Sequence, residues 1–145
     1  MKAITLWQPW ASMIVYGWKP VEYRTHGRFS FLFGQQVAIH AGQKTDPELE
    51  RIKKKFSHVN WKEMEPFPTG CILGFCNIMG VEHKPLKKLA VYRGKHKGYG
   101  YHLGKILRLR KPISASGKQG AWEWKAPARR LDIVSVRIKN GKPIK

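Results

Sequence analysis

The chain has 145 residues, of which 42% are hydrophobic and 12% aromatic, so it is large and apolar enough to bury a core of its own. It carries 28 Lys and Arg against 9 Asp and Glu, a net charge of +19, and no segment approaches the roughly 20 apolar residues of a membrane-spanning helix. This composition excludes a disordered chain and predicts one domain over residues 1–138, followed by a frayed basic tail at 139–145.

The helix that we predict for residues 9–16 follows a short strand or extended segment at residues 3–6. Proline suits the first position of a helix, and Gly17 suits the left-handed residue that ends one. Gln8 is expected to cap this helix rather than to contact a ligand.

We expect the chemistry of the chain at residues 17–24, where the helical period gives way to a strand. In an extended segment, residues two apart share a face, so Glu22 and Arg24 project together. Lys19 lies three residues before Glu22 and reaches the same face only through a kink. Two cations around one carboxylate, beside Trp10 and Trp18, can bind a planar polar ligand. The alternative is an ordinary surface salt bridge at the start of a strand.

The next segments predict two apolar elements. Residues 29–33 form an edge strand or a hydrophobic flap over the core, and residues 37–41 form a core strand. His40 lies near the end of that strand, before a glycine. It either makes a structural hydrogen bond or lines a functional pocket.

A second helix is predicted where Thr45 and Glu48 form a capping box. Residues 57–69 contain prolines and predict a loop. The longest apolar run, residues 70–81, predicts a central strand that curves round a barrel. Its two cysteines, Cys71 and Cys76, are five residues apart, which places them on opposite faces of a regular strand and argues against a disulfide.

Positive charge is concentrated in the second half of the chain. Residues 1–82 hold 10 basic and 7 acidic residues, a net charge of +3, whereas residues 83–145 hold 18 basic and 2 acidic residues, a net charge of +16. Such one-sided charge opposes folding and indicates a polyanionic partner. Nucleic acid is the first candidate, since no long basic amphipathic helix favours a membrane surface. A merely soluble basic protein is the remaining alternative.

A strand at residues 106–110 follows a basic, glycine-rich connector. Ile106, Arg108 and Arg110 share one face of this strand, which predicts that its two faces are not both buried. The turn at residues 114–120 offers backbone amides that can contact phosphate, but it lacks the ending of a nucleotide-binding loop.

Short strands at residues 121–124 and 129–138 complete the predicted elements. About six strands with two early helices predict an α+β domain built around a small β-barrel. The histidines are scattered and none is spaced with a cysteine as zinc requires, so no metal and no other cofactor is predicted. We expect the cysteines to be reduced, in a cytoplasmic protein.

The order of two motifs resembles the activating-signal-cointegrator homology (ASCH) domain family. The motifs are Leu6-Trp7-Gln8-Pro9-Trp10-Ala11-Ser12 and Gly17-x-Lys19-x-x-Glu22-x-Arg24, and segments 70–74 and 117–122 add to the likeness. The resemblance implies a small PUA-like β-barrel of about six strands, with two or more helices packed at its ends. PUA denotes the pseudouridine-synthase-and-archaeosine-transglycosylase RNA-binding fold. The resemblance further implies binding of RNA or other nucleic acid in a cleft beside the second motif.

The resemblance also extends to two kinds of enzyme. Some small ASCH-like proteins are amidohydrolases that deacetylate acetylated cytidine with a lysine, a threonine and a glutamate, and other members resemble ribonucleases. The lysine would correspond to Lys19, but Glu22 stands at the threonine position. This chain also has no acidic residue between Glu82 and Glu123, the region that supplies the glutamate in those enzymes. A binding module is therefore favoured, with a hydrolase that uses Lys19 and Glu22 as the alternative.

In the binding interpretation, the cationic half of the chain contacts phosphates and the cluster near Glu22 reads one base. For Trp122, packing in the core is the alternative to stacking on that base. The partner is RNA or DNA, and we expect a monomer. The expected ligand contacts are Lys19, Glu22, Arg24, Trp10, His40, Lys118, Gln119 and Trp122. The expected phosphate contacts are Arg93, Lys95, Lys97, Arg108 and Arg110.

Overall fold

The computed structural model describes residues 1–85 and 97–144, and in these ranges the chain is mostly β-structure with three short α-helices. The helices are α1 (Trp10–Val15), α2 (Leu49–Lys55) and α3 (Trp61–Met64). The strands are β1 (Lys2–Gln8), β2 (Val21–Arg24), β3 (Gln36–Thr45), β4 (Cys71–Pro85), β5 (Lys97–Ser114), β6 (Ala121–Glu123), β7 (Ile133–Ser135), β8 (Arg137–Lys139) and β9 (Lys142–Ile144).

Seven of these strands form one curled sheet, and the last two form a separate hairpin. The order across the sheet is β2-β5-β4-β3-β1-β6, with β7 paired to β5. Only the β1–β3 pair in this sheet is parallel among the described residues. The predicted α+β fold with a small barrel-like sheet is therefore confirmed.

Both faces of the central strands are buried. Neighbouring residues of β3, Ala38 and Ile39, are both fully buried yet belong to different hydrophobic clusters, as the two-residue period of a strand requires. One cluster includes helix α1, and the other includes Trp122 and Trp124. Full burial of each such aliphatic side chain contributes about 1.5–3 kcal/mol, so this core fixes the sheet that carries the site.

Strand β4 corrects one prediction about the cysteines. Cys71 and Cys76 are both buried free cysteines, but they lie in the same cluster rather than on opposite faces. The cause is a shift of register, since Ile39 pairs with Gly74 while the next residue, His40, pairs with Ile72. One extra residue in β4 reverses its alternation there.

Helix α1 forms and ends as predicted. Gly17 follows it with a φ of 88°, the left-handed conformation that glycine adopts readily. Gln8 caps it, because its Oε1 accepts the backbone N–H of Ser12 at 3.0 Å and its Nε2 donates to the Ser12 hydroxyl at 2.8 Å. The same Nε2 donates to the Pro68 carbonyl at 2.7 Å.

Helix α2 begins later than the capping box predicts. Thr45 is instead the last residue of β3, where it pairs with Gln8 of β1. Asp46 accepts the backbone N–H of Glu48 through Oδ1 at 2.9 Å, which forms a turn just before the helix, and the N-cap residue Glu48 makes no side-chain cap. Tertiary pairing of the strand has overridden the local signal.

Two other segments differ from their predicted form. Residues 29–33 contain a 3₁₀ turn, Ser30–Leu32, rather than a strand, with Leu32 buried and Phe31 and Phe33 exposed. The predicted loop at residues 57–69 contains α3, because Trp61 and Met64 pack against α1 and α2.

The end of the chain is a hairpin rather than a frayed tail. The single strand expected at residues 129–138 is divided between β7 and β8, and β8 pairs with β9. A Cβ placed on Gly17 would lie 2.9 Å from Val136 Cγ1 and 3.2 Å from Pro143 Cβ. The hairpin therefore packs against the turn that follows α1, where glycine leaves it room.

Candidate functional site

The side chains of Lys19, Glu22 and Arg24 contact one another and are hereafter called the ion cluster. Lys19 Nζ donates to Glu22 Oε1 at 2.5 Å. Arg24 Nε donates to Glu22 Oε2 at 3.0 Å, and Arg24 Nη2 forms an ion pair with the same oxygen at 2.9 Å. Lys19 and Glu22 are each 6% exposed, while the Arg24 side chain is 24% exposed. The interpretation of these residues as an ordinary surface salt bridge is therefore wrong.

The turn after α1 explains how Lys19 reaches Glu22. The backbone N–H groups of Trp18 and Lys19 both donate to the Met13 carbonyl, at 2.8 and 3.0 Å, so the chain stays folded against the helix. Strand β2 begins only at Val21, which leaves Lys19 outside the strand alternation. The kink that the sequence requires is thus this helix-to-strand turn.

The charges of the cluster are mutually stabilising. Burial alone would raise the pKa of Glu22, but the adjacent charges of Lys19 and Arg24 and their hydrogen bonds lower it below the usual 4.5. At neutral pH the cluster therefore holds two cations and one anion, a net charge of +1 set in a largely buried position.

Aromatic rings surround the ion cluster. The Lys19 ammonium lies 5.9 Å from the ring centres of both Trp10 and Tyr23, and the Arg24 guanidinium lies 5.0 Å from that of Phe29. Each distance is within the range of a cation–π contact. Burial and the charge of Glu82 raise the pKa of Tyr23 to about 12, so this phenol stays neutral.

A second polar group, the Thr5 relay, consists of Thr5, His40 and Trp122. Trp122 Nε1 donates to the Thr5 hydroxyl at 2.9 Å, that hydroxyl lies 3.2 Å from His40 Nδ1, and His40 Nε2 lies 2.7 Å from the Ala115 carbonyl. A carbonyl only accepts, so Nε2 carries a hydrogen and donates. The Thr5 hydroxyl then completes the relay by donating to Nδ1.

His40 and Trp122 therefore have structural roles in this relay. His40 is 2% exposed and Trp122 is 8% exposed, and the two rings contact each other edge to face at 5.3 Å. The structure thus favours a structural hydrogen bond for His40 and core packing for Trp122 over contact with a ligand.

Thr5 joins the relay to the ion cluster. Its backbone carbonyl accepts from Arg24 Nη2 at 3.1 Å while its hydroxyl serves the relay. The turn at residues 114–120 also reaches this point, since a Cβ on Gly117 would lie 2.4 Å from His40 Cε1. Lys118 and Gln119 follow in that turn and are exposed. The structure thereby brings the N-terminal motif and the later turn to one residue.

The predicted phosphate contacts are dispersed. Arg110 is exposed and its Nε donates to Asp132 at 3.0 Å, while Arg108 is half-buried with its guanidinium 4.2 Å from the Tyr16 ring centre. Arg93 and Lys95 lie outside the described residues, and Lys97 is the first residue of β5.

Ile106, Arg108 and Arg110 of β5 differ in burial although the strand is regular across them. Ile106 is buried in the core, Arg108 is half-buried and Arg110 is exposed. The β5–β7 pairs are regular from Leu107 to Leu109, and these two leucines pack in the cluster opposite to that of Ile106, as the predicted alternation requires. The irregular pairing with β4 lies beyond Arg108, between the pairs Gly74–Arg108 and Ile72–Ile113.

Sequence reasoning missed several residues around the site. No pattern in the sequence indicated a role for Thr5 or Phe29. Asp46, which accepts from Trp10 Nε1 at 3.2 Å, lies within the predicted capping box and was therefore assigned to the start of a helix. Glu82 of β4 and His102 of β5 form a half-exposed pair. Only the register of the strands places these residues, and no local pattern in the sequence specifies that register.

Exposed cations are plentiful in the described part of the second half of the chain. Of its two acidic residues, Asp132 pairs with Arg110 and Glu123 pairs with Lys2 and the N-terminus. Within residues 97–144, eight exposed cations have no carboxylate partner among the described residues. They are Lys105, Lys111, Lys118, Lys125, Arg129, Arg130, Lys139 and Lys142.

No three His, Cys, Asp or Glu side chains among the described residues gather closely enough to hold a metal ion. None of the described helices is long and apolar enough to cross a membrane.

Comparisons with known proteins point to one family. The chain is similar to the crystal structure of ASCH from Zymomonas mobilis, with 18% identity and a TM-score of 0.49 over 78% of this chain and 72% of that chain. A serine-to-alanine variant of that protein gives 19% identity and a TM-score of 0.51 over the same shares. At such identity the likeness shows the fold alone.

No curated protein matches the chain. The family model for the ASCH domain, however, matches residues 4–132, which include the ion cluster, the Thr5 relay and every strand of the curled sheet up to β6. This chain belongs to the ASCH domain family.

Proposed function

We propose that this ASCH domain is a nucleic-acid-binding module that binds single-stranded RNA. The observation that carries the proposal is the ion cluster, a fixed net positive charge bordered by Trp10, Tyr23 and Phe29. Rigidly held donors beside aromatic rings suit an electron-rich planar group such as a base, which stacks on an aromatic side chain for about 1–3 kcal/mol.

Arg24 is the member of the cluster that reaches the ligand. It uses Nε and Nη2 for Glu22 and the Thr5 carbonyl, which leaves Nη1 for an outside acceptor. Its side chain is also the most exposed of the three, at 24%. Glu22 holds the guanidinium in one orientation, so the bound group meets a preorganised donor.

The unpaired cations of residues 97–144 supply the affinity for phosphate. Lysines and arginines that neutralise phosphates release counterions, and this release makes affinity fall steeply with salt. Lys118 lies in the turn that contacts the Thr5 relay, and Thr5 links that turn to the ion cluster through Arg24.

Binding is favoured over hydrolysis by the pairing inside the cluster. A general base needs a free lone pair, and a nucleophile needs an unengaged oxygen or nitrogen. Lys19 donates to Glu22, and the lowered pKa of Glu22 keeps that residue charged and paired. Neither group is poised to attack a substrate.

The test is fluorescence anisotropy with labelled single-stranded RNA and DNA at several salt concentrations, alongside mass spectrometry of the same RNA and of modified nucleosides. We expect the logarithm of the RNA affinity to fall linearly with the logarithm of salt concentration, and we expect no product. Arg24→Gln should weaken binding, whereas Arg28→Gln, an exposed arginine outside the cluster, should weaken it less. Absence of RNA binding would refute the proposal, and product formation would favour the hydrolase alternative.

A further inference from the structure

A cavity of about 170 Å³ lies between α1, the end of α3 with the residues that follow it (63–68) and the second half of β5. None of the three residues of the ion cluster lines it. It is smaller than the pockets of roughly 300–1,000 Å³ that hold drug-sized ligands, so it suits one ring system rather than a whole nucleotide.

Arg108 gives this cavity a hydrogen-bond donor without a partner. Its Nε is buried and makes no hydrogen bond to any described residue, while its guanidinium plane lies over the Tyr16 ring. A buried donor left unpaired is unfavourable in free energy. Arg108 also lines the cavity, which places its guanidinium within reach of a ligand acceptor there.

Glu63 gives the cavity an uncommitted acceptor. It is exposed and forms no ion pair with any described residue, although it lines the same cavity. The other charged lining residues are engaged, since Arg110 pairs with Asp132 at 3.0 Å and Glu65 pairs with Lys53 at 2.8 Å. Apolar walls complete the cavity, formed by Val15, Pro66, Pro68 and Leu73.

We propose that this cavity binds a guanine base of single-stranded RNA, with Arg108 donating to O6 and N7 and Glu63 accepting from N1–H and the N2 amino group. This inference rests on the proposed RNA binding and names a base that it prefers. Guanine presents two adjacent acceptors on one edge and two adjacent donors on another, and an arginine fork on O6 and N7 is the commonest specific base contact. Adenine places an amino donor beside N7, where Arg108 would need an acceptor.

Arg108 is thereby a base-reading residue rather than the phosphate contact that its charge suggests. The two roles make different demands on the side chain. A phosphate accepts from lysine or arginine, whereas two base acceptors in one plane require the planar fork of arginine.

The experiment compares a uridine tract with the same tract that carries one central guanosine, by fluorescence anisotropy at fixed salt. The wild-type protein should bind the guanosine-containing RNA about 5- to 100-fold more tightly, as expected for one bidentate contact. Arg108→Lys should remove this preference and leave affinity for the uridine tract unchanged. Lys111→Gln, which removes a nearby exposed cation, should weaken both RNAs equally and keep the preference.

Glu63→Gln keeps the test decisive if the Arg108 variant fails to fold, because Glu63 is exposed. This variant should reduce the guanosine preference without changing binding to the uridine tract. A preference that survives in both variants, or no preference in a wild-type protein that binds both RNAs, overturns the guanine site and leaves the proposed function intact.

Free guanosine tests the guanine site separately from the proposed RNA binding. If neither RNA binds, the proposed function fails, and calorimetric titration with guanosine then tests the cavity alone. Guanosine binding that is lost in Arg108→Lys supports the cavity as a base site. Absence of guanosine binding overturns it.

Discussion

The ion cluster and the exposed cations of residues 97–144 both contain lysine and arginine, but they differ in burial and in pairing. Lys19 is 6% exposed, shares one carboxylate with Arg24 and is bordered by aromatic rings. Lys111 and Lys118 are exposed and have no carboxylate partner among the described residues. The first group is fixed by burial, whereas the second is solvated.

This contrast shows that burial, and not charge alone, decides whether a charged side chain is held in one position or mainly adds to the attraction of a polyanion. A buried charge depends on its partner, because loss of the partner leaves it desolvated and uncompensated. An exposed charge contributes little to stability but contributes to the long-range field that attracts a polyanion. Substitutions in the two regions should therefore alter different measured quantities.

Glu22→Gln should give the largest effect on stability. It leaves the buried Lys19 ammonium without its carboxylate, and breaking a buried ion pair in this way costs about 3–5 kcal/mol. Urea denaturation, which measures the free energy of unfolding, tests this prediction.

Glu48→Gln is the matched control for that substitution. Glu48 pairs with Arg51 at 3.2 Å, but both side chains are more than half exposed, so its loss should cost about 0–1 kcal/mol. Equal losses for the two variants would show that burial does not distinguish the two ion pairs.

Acidification should reduce the stabilisation that Glu22 provides, and we expect this effect to be smaller than that of Glu22→Gln. Because the pKa of Glu22 is lowered in the folded state, its contribution is complete above the unfolded value of 4.5 and is lost as the pH falls through the folded value. Glu22→Gln lacks this contribution. The difference in unfolding free energy between wild type and variant should therefore shrink in acid, and a difference that stays constant with pH would contradict the assignment.

Local sequence patterns predicted the centre of the site. Two-residue periodicity placed Glu22 and Arg24 on one face, and Gly17 marked the end of α1. These features depend on residues close together in the chain, where backbone geometry leaves few options.

The Thr5 relay could not be predicted, because it depends on pairing between distant strands. Thr5 meets His40 only through the parallel β1–β3 register, and Trp122 reaches both through β6. Irregular pairing in β4 likewise placed Cys76 where a regular alternation would not. An extra residue in a strand reverses every later face, and no local signal marks its position.

Thr5→Val should give an intermediate effect. The change keeps the branched shape but removes the hydroxyl that accepts from Trp122 and donates to His40, so the unpaired buried groups should cost about 1–3 kcal/mol. Urea denaturation measures the loss, and Thr25→Val, at an exposed threonine, is the control that should be nearly neutral. Equal values for the two variants would show that the relay does not stabilise the fold.

Lys111→Gln should give the smallest effect on stability and a clear effect on binding. An exposed lysine without a carboxylate partner stabilises the fold by less than about 0.5 kcal/mol, so the unfolding free energy should stay close to that of wild type. If Lys111 neutralises one phosphate, the slope of log affinity against log salt for single-stranded RNA should fall by about 0.7. An unchanged slope would show that Lys111 does not contact phosphate, and unchanged slopes for all eight unpaired cations would show that charge in this region does not bind phosphate.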